Sequence, residues 1–158
     1  MIRTLLTVFA LIVLGALTAP RPSLAMNMNN TSTSNANAAQ DYAMAKKASD
    51  AGDYEKAIMF AKKVVAADPK NADAYNLLGY SSRKMGKLVN AAAYYKQALS
   101  IDPNHQGALE YQGELFIMQG SLDAAKSNLA KLTKLCPNGC EARSSLENAL
   151  AKAGAGSS

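Results

Sequence analysis

Residues 72–105 read ADAYNLLGYSSRKMGKLVNAAAYYKQALSIDPNH, and the interval they span recurs along the chain. Pro69, Pro103 and Pro137 are 34 residues apart, as are Gly52, Gly86 and Gly120, and Ala57, Ala91 and Ala125. Tyr54, Leu88 and Leu122 keep the same register. Four independent positions holding one interval over three copies define a tandem repeat. Within each copy an apolar-periodic helix runs to a glycine, which tolerates the left-handed turn after a helix. A second helix follows and stops before a proline that cannot continue it. The spacing predicts helices over 38–51, 54–67, 72–85, 88–101, 106–119 and 122–135, with Asn71 as N-cap of the third. Small residues are expected where each pair crosses: Ala45 with Ala57, Gly79 with Ala91, Gly113 with Ala125.

In the middle copy Tyr75, Leu78, Gly79, Ala91, Tyr95, Ala98 and Pro103 fall at large, small and proline positions. In this the chain resembles the tetratricopeptide repeat (TPR) family over residues 38 to 139. The end copies depart from the pattern: Asp41 and Ala61 stand at the aromatic positions of copy one, Leu109 and Leu129 at those of copy three. The resemblance implies an all-α, right-handed superhelical stack of three helix-turn-helix hairpins, at 38–71, 72–105 and 106–139. Residues 140–153 carry Ala142, Leu146, Ala149 and Leu150 at helical spacing and are expected to cap the last repeat's apolar face. Residues 154–158 are expected to fray.

The N-terminus reads as an export signal. Arg3 precedes an apolar run from Leu5 to Leu17, Pro20 and Pro22 break it, and Ser23-Leu24-Ala25 offers small residues for cleavage after Ala25. This implies an exported protein, periplasmic or secreted, with no membrane insertion once residues 1–25 are removed. The alternative is a membrane anchor through uncleaved residues 4–19, a run short of the ~20 residues that span a bilayer. Residues 26–37, uncharged and rich in Asn, Thr and Ser, are expected to form a flexible linker.

Cys136 and Cys140 flank Pro-Asn-Gly between the sixth helix and the cap. In an oxidising compartment such a pair reads as a disulfide. Redox catalysis or copper binding, helped by scattered methionines, is the alternative. Three residues separate the cysteines where the redox motif has two, and the lone His105 sits in a different turn.

The net charge of +5 includes Arg3 and Arg21 and is otherwise interspersed with acids. It forms no basic stripe, so nucleic acid is not an expected partner. No nucleophile elbow, phosphate loop or acid–base pair is assembled, and the chain is read as non-enzymatic, without cofactor or metal.

What remains is recognition. In proteins of this family the inner wall of the stack comes from fixed positions of each first helix. Here those map to Tyr42, Lys46 and Ser49, then Asn76, Tyr80 and Arg83, then Glu110, Tyr111 and Glu114. The expected groove carries three tyrosines, is basic toward the first two copies and acidic toward the third. Lys46 and Asn76 could join the carboxylate clamp found in some relatives, but Glu110 and Glu114 oppose it and favour a partner with a basic segment there. The leading expectation is a protein or peptide adaptor in a cell-envelope assembly. The second is a structural element that self-associates through its end repeats into a homo-oligomer.

Overall fold

The computed structural model describes residues 28–155, in which seven helices follow one another and no strand occurs. The export signal, its membrane-anchored alternative and residues 156–158 lie outside them. The helices are α1 (Met28–Asp50), α2 (Tyr54–Ala67), α3 (Ala72–Lys84), α4 (Leu88–Ile101), α5 (Gln106–Met118), α6 (Leu122–Leu135) and α7 (Glu141–Ala155). Among the described residues no helix is long and apolar enough to cross a membrane.

The 34-residue punctuation is what sets the ends. Gly52, Gly86 and Gly120 each take a φ between +74° and +78°, closing the turn inside a hairpin. An L side chain is strained there, which explains why the three copies agree on glycine. Asp68, Asp102 and Cys136 leave the helical region directly before Pro69, Pro103 and Pro137. Asn71 caps α3 as expected, its side chain accepting from the Ala74 amide at 2.9 Å. His105 does the same for α5, where Nδ1 accepts from the Ala108 amide at 3.1 Å.

Two ends differ from the sequence reading. α1 begins at Met28, so the described part of the expected linker, 28–37, is helical. Adding residues to an existing helix costs far less than starting one, and Ala36, Ala38 and Ala39 favour extension. α7 runs on through Ala155, two residues past the expected end of the cap.

The core is a chain of three small clusters rather than one mass. Ala45, Ala61 and Leu78 join repeats one and two, Ala91, Tyr95 and Leu115 join two and three, and Leu109, Leu132, Ala142 and Leu146 join three and α7. Each repeat thus touches only its neighbours, as stacked repeats do. The glycines of the first helices are pressed by bulkier groups than the alanines expected. A methyl at Gly79 would stand 2.5 Å from Tyr95 Cε1, and one at Gly113 would stand 2.6 Å from Leu146 Cδ2.

Cys136 and Cys140 are joined as a disulfide, with Cα atoms 5.9 Å apart. The bridge closes the turn that leads into α7, and Gly139 supplies a positive φ of 96° in it.

Candidate functional site: a tyrosine-lined cleft

Tyr42, Lys46 and Ser49 are spaced i, i+4, i+7 on α1, and Asn76 and Tyr80 hold the matching positions on α3. That spacing puts each set on one helix face. The two faces converge on a cleft of about 680 Å³ whose far wall is Tyr111 of α5. Six of the nine residues predicted for the groove therefore line one cavity: Tyr42, Lys46, Ser49, Asn76, Tyr80 and Tyr111.

The rings form a ladder across three repeats. Tyr54 meets Tyr80 edge-on at 6.2 Å between centroids, and Tyr80 lies 4.9 Å from Tyr111. Such pairs add about 0.5–1.5 kcal/mol each beyond the area they bury. Burial raises the Tyr42 phenol, helped by Asp73, and raises Tyr111 to about 12, helped by Glu110. Both hydroxyls are therefore protonated at neutral pH and able to donate. One end of the Asn76 side-chain amide, Oδ1, is buried without a partner in the protein. Gly107 of the next repeat leaves room beside it, since a Cβ there would stand 3.1 Å from Asn76 Nδ2.

The other three predicted residues are placed differently. Arg83 turns inward, with Nη2 2.6 Å from Glu114 Oε2 and Nε donating to Tyr95 Oη at 3.4 Å. Its guanidinium also lies 5.7 Å from the Tyr80 centroid and 5.6 Å from that of Tyr111. Arg83 and Glu114 thus neutralise each other behind the tyrosines. Glu110 is buried, 9 % exposed, beneath α7. Its carboxyl is raised to about 7, by burial first and then by Glu114. The expected acidic end of the groove is therefore closed off. The basic end is muted too, because Lys46 Nζ is bound to Asp50 at 2.8 Å. Positional register fixed which residues share a wall, but not which would reach each other across helices.

Tyr54, Asp50, Asp73 and Leu77 also line the cleft and were not anticipated. Tyr54 had a signal: it follows a turn glycine directly, and its register partners Leu88 and Leu122 lack its hydroxyl. Asp73 had one as well, three residues before Asn76 and so on the same face. Among the described residues no group of three or more His, Cys, Asp or Glu gathers as a metal set.

Stacked hairpins with a lined inner wall define a helical repeat solenoid of the kind that holds other proteins. Tetratricopeptide repeat family patterns match residues 42–71 and 72–105. A TPR repeat-containing protein of Pseudomonas aeruginosa is 30% identical over 91 residues, 58% of this chain and 86% of that protein. The chain belongs to the tetratricopeptide repeat family. Its fold is similar to the TPR2B domain of yeast Sti1 in its pHsp70 complex, at TM-score 0.68 and 20% identity, over 75% of this chain and 96% of that one. An O-GlcNAc transferase of Thermobaculum terrenum, as a mutant, also has a TM-score of 0.68, at 24% identity over 74% of this chain. This chain spans 22% of that transferase, and at such identities both likenesses are of fold. TPR domains generally mediate protein–protein interaction and are generally non-catalytic scaffolds.

Proposed function

We propose that this chain is an exported, non-enzymatic adaptor that holds an extended peptide, presented by a partner protein in a cell-envelope assembly, in the cleft between α1, α3 and α5. The carrying observation is the convergence of Tyr42, Tyr54, Tyr80 and Tyr111 on one cavity. Tyrosine offers large apolar area with a polar tip at low ordering cost, and it is enriched where interfaces draw most of their energy. The unpartnered Asn76 Oδ1 suits a backbone N–H of an extended segment. The Sti1 domain, whose complex contains pHsp70, supports peptide binding by this fold. Export is supported by the apolar leader ending at Ala25 and by the Cys136–Cys140 bridge, a bond that persists in oxidising compartments.

With Glu114 bound to Arg83 and Glu110 covered, a basic segment on the partner has no free acid to meet at the third repeat. Recognition then rests on the rings. Selection from a random peptide library on the intact chain, followed by affinity measurement, tests this. Tyr80→Ala and Tyr111→Ala should each weaken selected peptides by roughly tenfold or more, the cost of about 2 kcal/mol at an interface hot spot. Peptides that bind the double variant as tightly as the native chain would remove the cleft from the function.

A further inference from the structure

Tyr42, Asn76 and Glu110 occupy one register position, 34 residues apart, on α1, α3 and α5. The first two line the open cleft, whereas Glu110 is covered. The difference is α7. A first helix normally leans on the second helix of the preceding repeat, as α3 leans on α2 far more than on α1. α7 instead makes its larger contact with α5 and its smaller one with α6. It is shifted off the next-repeat position toward the inner wall. Leu146, fully buried, anchors it against Gly113, and Ser145 hydrogen-bonds Glu110.

From this geometry we propose that α7 is a strap across the third-repeat part of the inner wall, and that ionisation of Glu110 beneath it releases the strap and lengthens the groove by one repeat. The root of the strap is fixed, because the Cys136–Cys140 bridge closes the turn where α7 would pivot.

The groups that face Glu110 set the direction of the response. Glu114 and Tyr111 approach from its own helix, Glu141 and Ser145 from α7, and Arg83 from α3. Burial is the largest influence and disfavours the charge, as do Glu114 and Glu141; Ser145 and Arg83 favour it. The carboxyl, ordinarily at 4.5, is thereby raised to about 7 in the docked state. Docking therefore takes up a proton. It is strongest below pH 4.5, weakens as pH rises from there to about 7, and levels off above. Each unit of that window is worth about tenfold in the docking equilibrium, so the whole amounts to on the order of 100-fold.

The test is amide hydrogen exchange of the intact chain near pH 5 and near pH 8, each rate divided by the intrinsic rate at that pH. Protection of α7 should fall on the order of 100-fold between the two, while α3 and α4 hold theirs, and Glu110→Gln should abolish the fall. Unchanged protection of α7 in the native chain, or an equal fall in Glu110→Gln, would overturn the proposal. A carbon-13 titration of the native Glu110 carboxyl stands independently of whether that variant folds. A midpoint near 7 shared with the α7 amide shifts supports the strap. An ordinary carboxylate midpoint, or α7 shifts that follow a different one, overturns it.

Discussion

Replacing Arg83 with methionine tests whether this side chain binds a partner or holds the wall together. Methionine keeps most of the apolar stem, so the loss reports the guanidinium. That group gives up one charge-assisted bond to Glu114 at 2.6 Å, worth about 1.5–3 kcal/mol. It also gives up the Tyr95 bond and two ring contacts at 5.7 and 5.6 Å, together about 1 kcal/mol. The Arg83 side chain is 11% exposed and that of Glu114 26%, so water relieves only part of the charge left behind. The expected cost is about 3 kcal/mol, or a fall in Tm of about 10 °C for a domain of this size. Thermal unfolding by far-UV circular dichroism reads it directly. A double-mutant cycle with Glu114→Gln should return a coupling of at least about 1 kcal/mol. A Tm within about 2 °C of native, with no coupling, would show that Arg83 is not bound inward in solution.

Gly79→Ala should destabilise by about 1–2 kcal/mol in urea unfolding. The helix gains about 1 kcal/mol from alanine, but the new methyl would stand 2.5 Å from a fully buried Tyr95 ring. A more stable variant would contradict that packing. His105→Ala should cost about 1–2 kcal/mol, because Nδ1 caps α5 and Nε2 reaches Asp73 Oδ1 at 3.0 Å. His105→Asn should recover about half of that loss by restoring the cap, and equal stability of the two variants would refute the capping role.

The positions of α2, α4 and α6 were legible to the residue, because a glycine at one end and a proline at the other set each by backbone chemistry alone. Gly52 and Pro69 bound α2 in this way, as Gly86 and Pro103 bound α4. α1 was not legible at its start, since no residue before Ala36 either blocks a helix or caps one. Tyr42, Asn76 and Tyr80 were legible as one wall because helical periodicity and the 34-residue register are both properties of the chain. The fates of Arg83, Glu110 and Glu114 were not. They depend on cross-helix reach and on where α7 settles, and α7 lies outside the repeat that carried the prediction. A pattern of 34 residues predicts what neighbours share; α7 has no register partner from which its tilt could be read.

That asymmetry shapes what the wall can hold. The accessible part runs from α1 across α3 to Tyr111 on α5, three helices set about 8–10 Å apart, or about 20 Å in all. An extended segment rises about 3.3 Å per residue, so roughly six residues fill it. At its far end Arg83 and Glu114 neutralise each other and α7 covers Glu110, so further residues would meet a closed and neutral surface. At its near end Lys46 and Asp50 are bound together. Charges on such a segment thus find few unpaired counterparts, whereas Tyr42, Tyr54, Tyr80 and Tyr111 offer ring faces and hydroxyls along its length. Selectivity in this cleft must therefore come from shape and backbone hydrogen bonding more than from net charge.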